Sequence, residues 1–236
     1  MQLALRMRTL IASAVLVAGC GSDDSTGQGP VRLTLVDAAS NAALPGALAA
    51  VEEGGIYIAN PDTSKGSSAY VYGARADEQG ILVIDLPEGD KGFHIFAEGH
   101  RYAPAHFPVG DPEIEIERTV TVAPLLPEDQ LPTISDAAIE PSQAGPGDEV
   151  TVTAMVAAAH AEDPLSDETL AILPEQEWSA ALDPPSPGEQ GVGFPDGLYS
   201  KTFRAPDAAG TYVYALVATT EGCITSKAAS VTLEVR

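Results

Sequence analysis

The chain has 236 residues, 44% hydrophobic and 19% charged, enough apolar side chain for one large or two ordinary cores. Its 12 basic and 34 acidic residues give a formal charge of −22. That charge argues against a DNA or RNA binder, which needs a basic stripe to displace phosphate counterions, and against a polybasic dock on anionic lipid.

The first eight residues carry Arg6 and Arg8 and no acid. Residues 9–18 (TLIASAVLVA) form an apolar run too short to span a bilayer, which needs about 20 apolar residues. A charged start, a short apolar stretch and small residues after it describe a secretory signal peptide. The run closes on Val17-Ala18-Gly19-Cys20. That order resembles the lipobox of bacterial lipoproteins, which implies removal of residues 1–19 and lipidation of Cys20. Two or more acyl chains, palmitate among them, anchor a protein stably, whereas one binds only marginally. Gly21 follows Cys20 where an inner-membrane retention signal has Asp, so the resemblance implies the outer membrane of the cell envelope, on its periplasmic or surface face. Residues 20–29 (CGSDDSTGQG) have no large apolar side chain and read as a flexible tether.

From Pro30 the chain alternates in short runs broken by Gly, Pro and Asp. Residues 31–36 (VRLTLV), 47–51, 81–86 (ILVIDL), 93–97 and 114–122 (IEIERTVTV) read as half-buried strands. Turns fall at residues 43–47 (ALPGA), 77–80 (DEQG), 86–89 (LPEG) and 97–100 (AEGH). This punctuation resembles the carboxypeptidase regulatory-like domain and implies a transthyretin-like β-sandwich of about seven strands over residues 30–126, a module without chemistry of its own. Two features depart from the family pattern: a long stretch at 54–73, and His100 where an aromatic is usual.

Residues 123–132 (APLLPEDQLP) hold three prolines and no period. They read as a short stiff connection, with 127–132 as the linker. Strands follow at 149–156 (EVTVTAMV), 198–203, from about 210 to 219, and 229–235 (ASVTLEV). Residues 167–173 fit one helical turn or an edge strand, and 183–194 (DPPSPGEQGVGF) fit a loop. The pattern Asp207…Gly210-x-Tyr212-x-Tyr214 resembles the start of strand F in immunoglobulin-like domains, with Tyr212 at the tyrosine-corner position. Tyr214 stands where that family has a Cys, so the resemblance implies a sandwich over 133–236 without the inter-sheet disulfide. The fold expected is all-β: two β-sandwiches in tandem, transthyretin-like then immunoglobulin-like, after a cleaved lipoprotein signal peptide. With Cys20 lipidated, Cys223 has no intrachain partner and is expected buried near a loop.

No residue set offers catalysis. There is no G-x-S-x-G elbow and no phosphate-binding Gly loop. His94, His100 and His106, six apart, read as scattered surface histidines rather than metal ligands. Glu162, Asp163, Asp167 and Glu168 (within EDPLSDE) read as a solvated acidic face rather than a calcium loop. No cofactor and no metal are expected. Residues 30–126 hold 6 basic and 14 acidic side chains, and 127–236 hold 4 and 18, so the second half is the more acidic. The functional expectation is a membrane-anchored, non-catalytic binding or adhesion module for a protein or glycan ligand, not for nucleic acid. Its partner loops would be 160–196, with Glu162, Asp163, Asp167 and Glu168, and the turn at Glu221 and Cys223. The alternatives are a structural accessory subunit of an envelope complex and, third, a metal-dependent enzyme using the histidines.

Overall fold

The structure is a computed structural model that describes residues 30–53, 70–86, 89–110, 115–166, 170–172, 179–182, 184 and 194–236. Cys20, the leader and tether, Asp167, Glu168, Trp178 and most of the 54–73 and 183–194 stretches lie outside the described residues. Every regular element among the described residues is a β-strand.

In the first half, β1 (Val31–Asp37) lies between β4 (Ile81–Ile84), antiparallel, and β7 (Ile116–Val122), parallel. An all-antiparallel sheet covers it, in the order β3 (Tyr70–Arg75), β2 (Leu48–Glu53), β5 (Gly89–Phe96), β6 (Ala103–Val109). The alternation in β1 does what period-two patterns require. Val31, Leu33 and Leu35 are fully buried, while Arg32 and Thr34 turn outward. Opposite them lie Ala49, Val51, Phe93 and Ile95 in the same core, and Phe93 stacks on Phe107 at 4.5 Å between centroids. Burying each such side chain contributes about 1.5–3 kcal/mol.

The turns close by local chemistry. Asp77 Oδ1 accepts from the N–H groups of Gln79 (2.9 Å) and Ile81 (2.8 Å). Gly80 sits at φ +72, and a Cβ there would come within 2.8 Å of the Leu35 carbonyl, so only glycine fits. Asp37 ends β1 in the same way, accepting from Ser40 Oγ (2.7 Å), Ser40 N (2.6 Å) and Ala39 N (3.0 Å), with His100 Nε2 at 2.9 Å from its other oxygen. These bonds, from Ser40 first and then His100, pull the Asp37 carboxyl from 3.8 to about 2. A carboxyl depressed in the folded state stabilises the fold above its unfolded pKa and loses that contribution as pH falls. Asp37→Asn is therefore expected to flatten the loss of stability between about pH 4 and 2, read by urea unfolding across that range.

The second half is also two stacked sheets. One orders β13 (Gly197–Arg204), β10 (Glu149–Ala157), β8 (Thr133–Glu140). The other orders β12 (Ser179–Ala181), β11 (Leu170–Ile172), β14 (Gly210–Val217), β15 (Ala229–Val235), β9 (Gln143–Ala144). Val150, Val152, Ala154 and Val156 of β10 alternate into a core shared with Leu216, Val231 and Leu233. Tyr212 OH donates to the Ala208 carbonyl at 2.7 Å, which is the tyrosine-corner bond. Tyr214 is buried against Phe203, centroids 5.3 Å apart. Tyr212→Phe is expected to cost about 0.5–1.5 kcal/mol, the net worth of one hydrogen bond, in equilibrium unfolding.

Several elements differ from the sequence expectation. β6 carries Pro104 and Pro108, which argue against a strand in sequence. It lies at the sheet edge, where a missing N–H is tolerated. His106 sits on it, exposed, opposite Gly92 and beyond the turn at 97–100. Leu170–Ile172 is neither a helical turn nor an edge: β11 lies between β12 and β14.

The two sandwiches do not simply follow one another. The outer face of β2 and β5 packs on the outer face of β11 and β14 through a third apolar cluster of Leu48, Ala50, Phe96, Ile172, Ala215 and Val217, with Tyr102 at its margin. Residues 123–129 are part of this junction rather than a free spacer. Leu125 N donates to Gly99 O (2.9 Å), Arg101 N to Ala123 O (2.8 Å), and Arg101 Nη2 to both oxygens of Asp129 (2.8 Å each).

Candidate functional site

The described acidic residues and the 221–223 turn converge on one place. The β10–β11 connection brings Asp163 beneath the turn that follows β14. Asp163 Oδ1 accepts from Gly222 N (2.7 Å) and Oδ2 from Thr220 Oγ1 (2.6 Å), while Glu221 N donates to Pro164 O (2.9 Å). A Cβ on Gly222 would lie 2.9 Å from Asp163 Oδ2, so a side chain there would displace the carboxylate that holds the turn. The next residue, Cys223, takes φ +62 to complete the turn. Beneath it, Ser166 Oγ and Thr219 Oγ1 share a hydrogen bond, and Ser226 Oγ accepts from Ala218 N (3.0 Å). The polar side chains 219, 220 and 226 are buried, and hydrogen bonds such as these offset the cost of desolvating them.

The turn then docks on the first sandwich. Tyr102 N donates to Cys223 O (2.8 Å) and Arg101 Nη1 to Gly222 O (2.9 Å). Asp163 and Cys223 are thus half-buried by the seam between the sandwiches, and of the described candidates Glu162 and Glu221 are exposed. Cys223 is half-buried, not buried as expected, because the turn presents its backbone, not its side chain, to the partner sandwich.

The histidines separate. His94 is 6% exposed, which corrects the surface reading. It shares the face of Ala50 and Phe96 that the second sandwich covers. Its Nε2 lies 3.4 Å from Glu52 Oε2, and its Nδ1 shares a hydrogen bond with Tyr102 OH at 2.7 Å. His100 bridges Asp37 and the Glu98 carbonyl (2.9 Å). Among the described residues, no three His, Cys, Asp or Glu side chains come together as metal ligands.

One cavity of about 160 Å³ opens at the seam, lined by Glu128, Asp129, Gln130, His160, Asp163 and Thr220, among others. It is smaller than the roughly 300–1,000 Å³ of small-molecule pockets. Its Asp129 and Asp163 oxygens are already committed to Arg101, Thr220 and Gly222. The arrangement fastens the two sandwiches together.

The seam residues could have been found in sequence. Residues 47–51 (ALAAV) and 214–218 (YALVA) are continuous rather than alternating apolar runs. A strand that is apolar on both faces is covered on both faces.

No family model matches the chain, and no curated protein matches it. Among solved structures it is similar to the Bacillus anthracis TIE protein, at 15% identity and TM-score 0.33. That match covers 88% of this chain, but this chain spans only 32% of that one. It is similar to a DUF3823 family protein from Bacteroides ovatus, at 10% identity and TM-score 0.32, covering 87% of this chain and 100% of that one. It is similar to fibronectin(III)-like modules of Clostridium thermocellum CbhA, at 14% identity and TM-score 0.30, covering 90% and 92%. At these scores no function transfers from one chain to the other.

Proposed function

We propose that this chain is a lipid-anchored, non-catalytic structural or adhesion module of the bacterial envelope. In this reading residues 1–19 are removed, Cys20 is acylated, residues 20–29 tether the protein, and the two sandwiches stand off the membrane. The transthyretin-like and immunoglobulin-like resemblances fit this scaffold role, as does the acidic surface, which keeps the protein off anionic lipid. The observation that carries the reading is the seam. Among the described residues of the candidate partner loops, Asp163 holds the Gly222 turn, and that turn docks on the first sandwich through the carbonyls of Gly222 and Cys223. The same observation favours a structural accessory role over ligand capture by those loops.

The anchor is tested by metabolic labelling with a palmitate analogue in the native host. Wild-type protein is expected to carry label and to fractionate with membranes, and Cys20→Ser to lose both. An unlabelled protein whose intact mass retains residues 1–19 would overturn it.

A further inference from the structure

We infer that the first sandwich is built to resist tension applied along the chain. The inference rests on the tethered reading above only for the source of that tension. Its first and last strands, β1 and β7, pair in parallel in one unbroken register from Val31↔Ile116 to Asp37↔Val122. Two further bonds extend the ladder past both ends: Ile116 N donates to Pro30 O (2.7 Å) and Ala38 N to Val122 O (2.9 Å). Because the strands are parallel, the chain enters β1 at one end of the ladder and leaves β7 at the other. Tension along the chain therefore slides the strands past each other and loads all the ladder bonds together, where a peeling force would break them one at a time. Forced unfolding is governed by the barrier to that first rupture.

The surroundings reinforce the ladder. β1 is the central strand of its sheet, flanked on the other side by β4, and its Val31, Leu33 and Leu35 are fully buried. The exit from β7 is pinned by the Arg101 N to Ala123 O and Leu125 N to Gly99 O bonds. The second sandwich has a shorter version of the same device. Its parallel pairing of β9 with the last strand β15 covers only Glu234↔Gln143 and Val235↔Ala144. The first sandwich is thus the stronger of the two in this direction.

The test is single-molecule force spectroscopy on the full chain in a Cys20→Ser, Cys223→Ser background, with handles on introduced cysteines. Pro30→Cys with Ala123→Cys pulls the β1–β7 ladder in shear. Pro30→Cys with Glu115→Cys pulls at one end and peels it. Thermal melting of both variants checks that they share one fold. The shear pair is expected to rupture at a several-fold higher force, releasing roughly 30 nm of chain. Equal rupture forces in the two geometries would overturn the inference while leaving the anchor reading intact. A missing acyl group on Cys20 would do the reverse.

Discussion

Tyr214→Ala lowers the stability of the second sandwich by roughly 3–5 kcal/mol, the range for deleting a buried aromatic side chain. Tyr214 is 1% exposed and packs on Phe203 within a core built from both sheets. The loss is large because the ring fills the space between the two sheets. Removing the ring leaves a cavity between the sheets that β10, contributing only Val and Ala at that level, is too small to fill. Burial also pushes the phenols of Tyr214 and Tyr199 above their usual range. A group whose folded pKa is raised stabilises below its unfolded value and ceases to as pH rises past it. Alkaline unfolding above about pH 10 is therefore expected to expose both phenols cooperatively, seen as tyrosinate absorbance that appears with the loss of fold. Urea unfolding of Tyr214→Ala reads the first effect, and a drop below about 1 kcal/mol would mean the ring is not holding the sheets.

Phe96→Asp separates the two sandwiches while leaving both cores folded. Phe96 is 2% exposed, and the cluster it joins belongs to neither core: Leu48 and Ala50 on one side, Ile172, Ala215 and Val217 on the other. A carboxylate placed there has no cation within the cluster, and its desolvation cost is of the same order, roughly 3–5 kcal/mol, as breaking a buried ion pair. The seam can avoid that cost only by opening. Opening strains the bidentate Arg101–Asp129 pair and the Tyr102–Cys223 bond, and exposes residues 124–131 to protease. Limited proteolysis is expected to cut there in Phe96→Asp and not in the wild type, with circular dichroism unchanged. A variant that instead loses all β signal would show that the sandwiches do not fold separately.

Much of the scaffold was legible in sequence, and the reason is local. β1, β10 and β15 alternate cleanly because each has one core face and one open face. The turns at Asp77–Gly80 and Tyr212 declared themselves through side chains that bond their own backbone. What escaped were elements whose residues obey a tertiary demand. β6 hides behind two prolines that only an edge accepts, and β11 is three residues long, so its place between β12 and β14 cannot be read from its own composition. The candidate site was half legible. Asp163 and the 221–223 turn were singled out and do come together. Which surface they meet is not legible in their sequence, because an acidic loop beside a Gly turn reads the same whether it meets solvent or another part of the chain. The continuous apolar runs in β2 and β14 distinguish the two cases, since they require a second covering surface.

The most direct test of the account is backbone amide NMR relaxation, comparing residues of β1–β7 with residues of β8–β15 in the same molecule. One rotational correlation time and one diffusion tensor shared by both sandwiches is the predicted result, because the apolar seam and the Arg101 clasp make them a single body. Two faster, independent correlation times, each suited to a module of about half the chain, would contradict it.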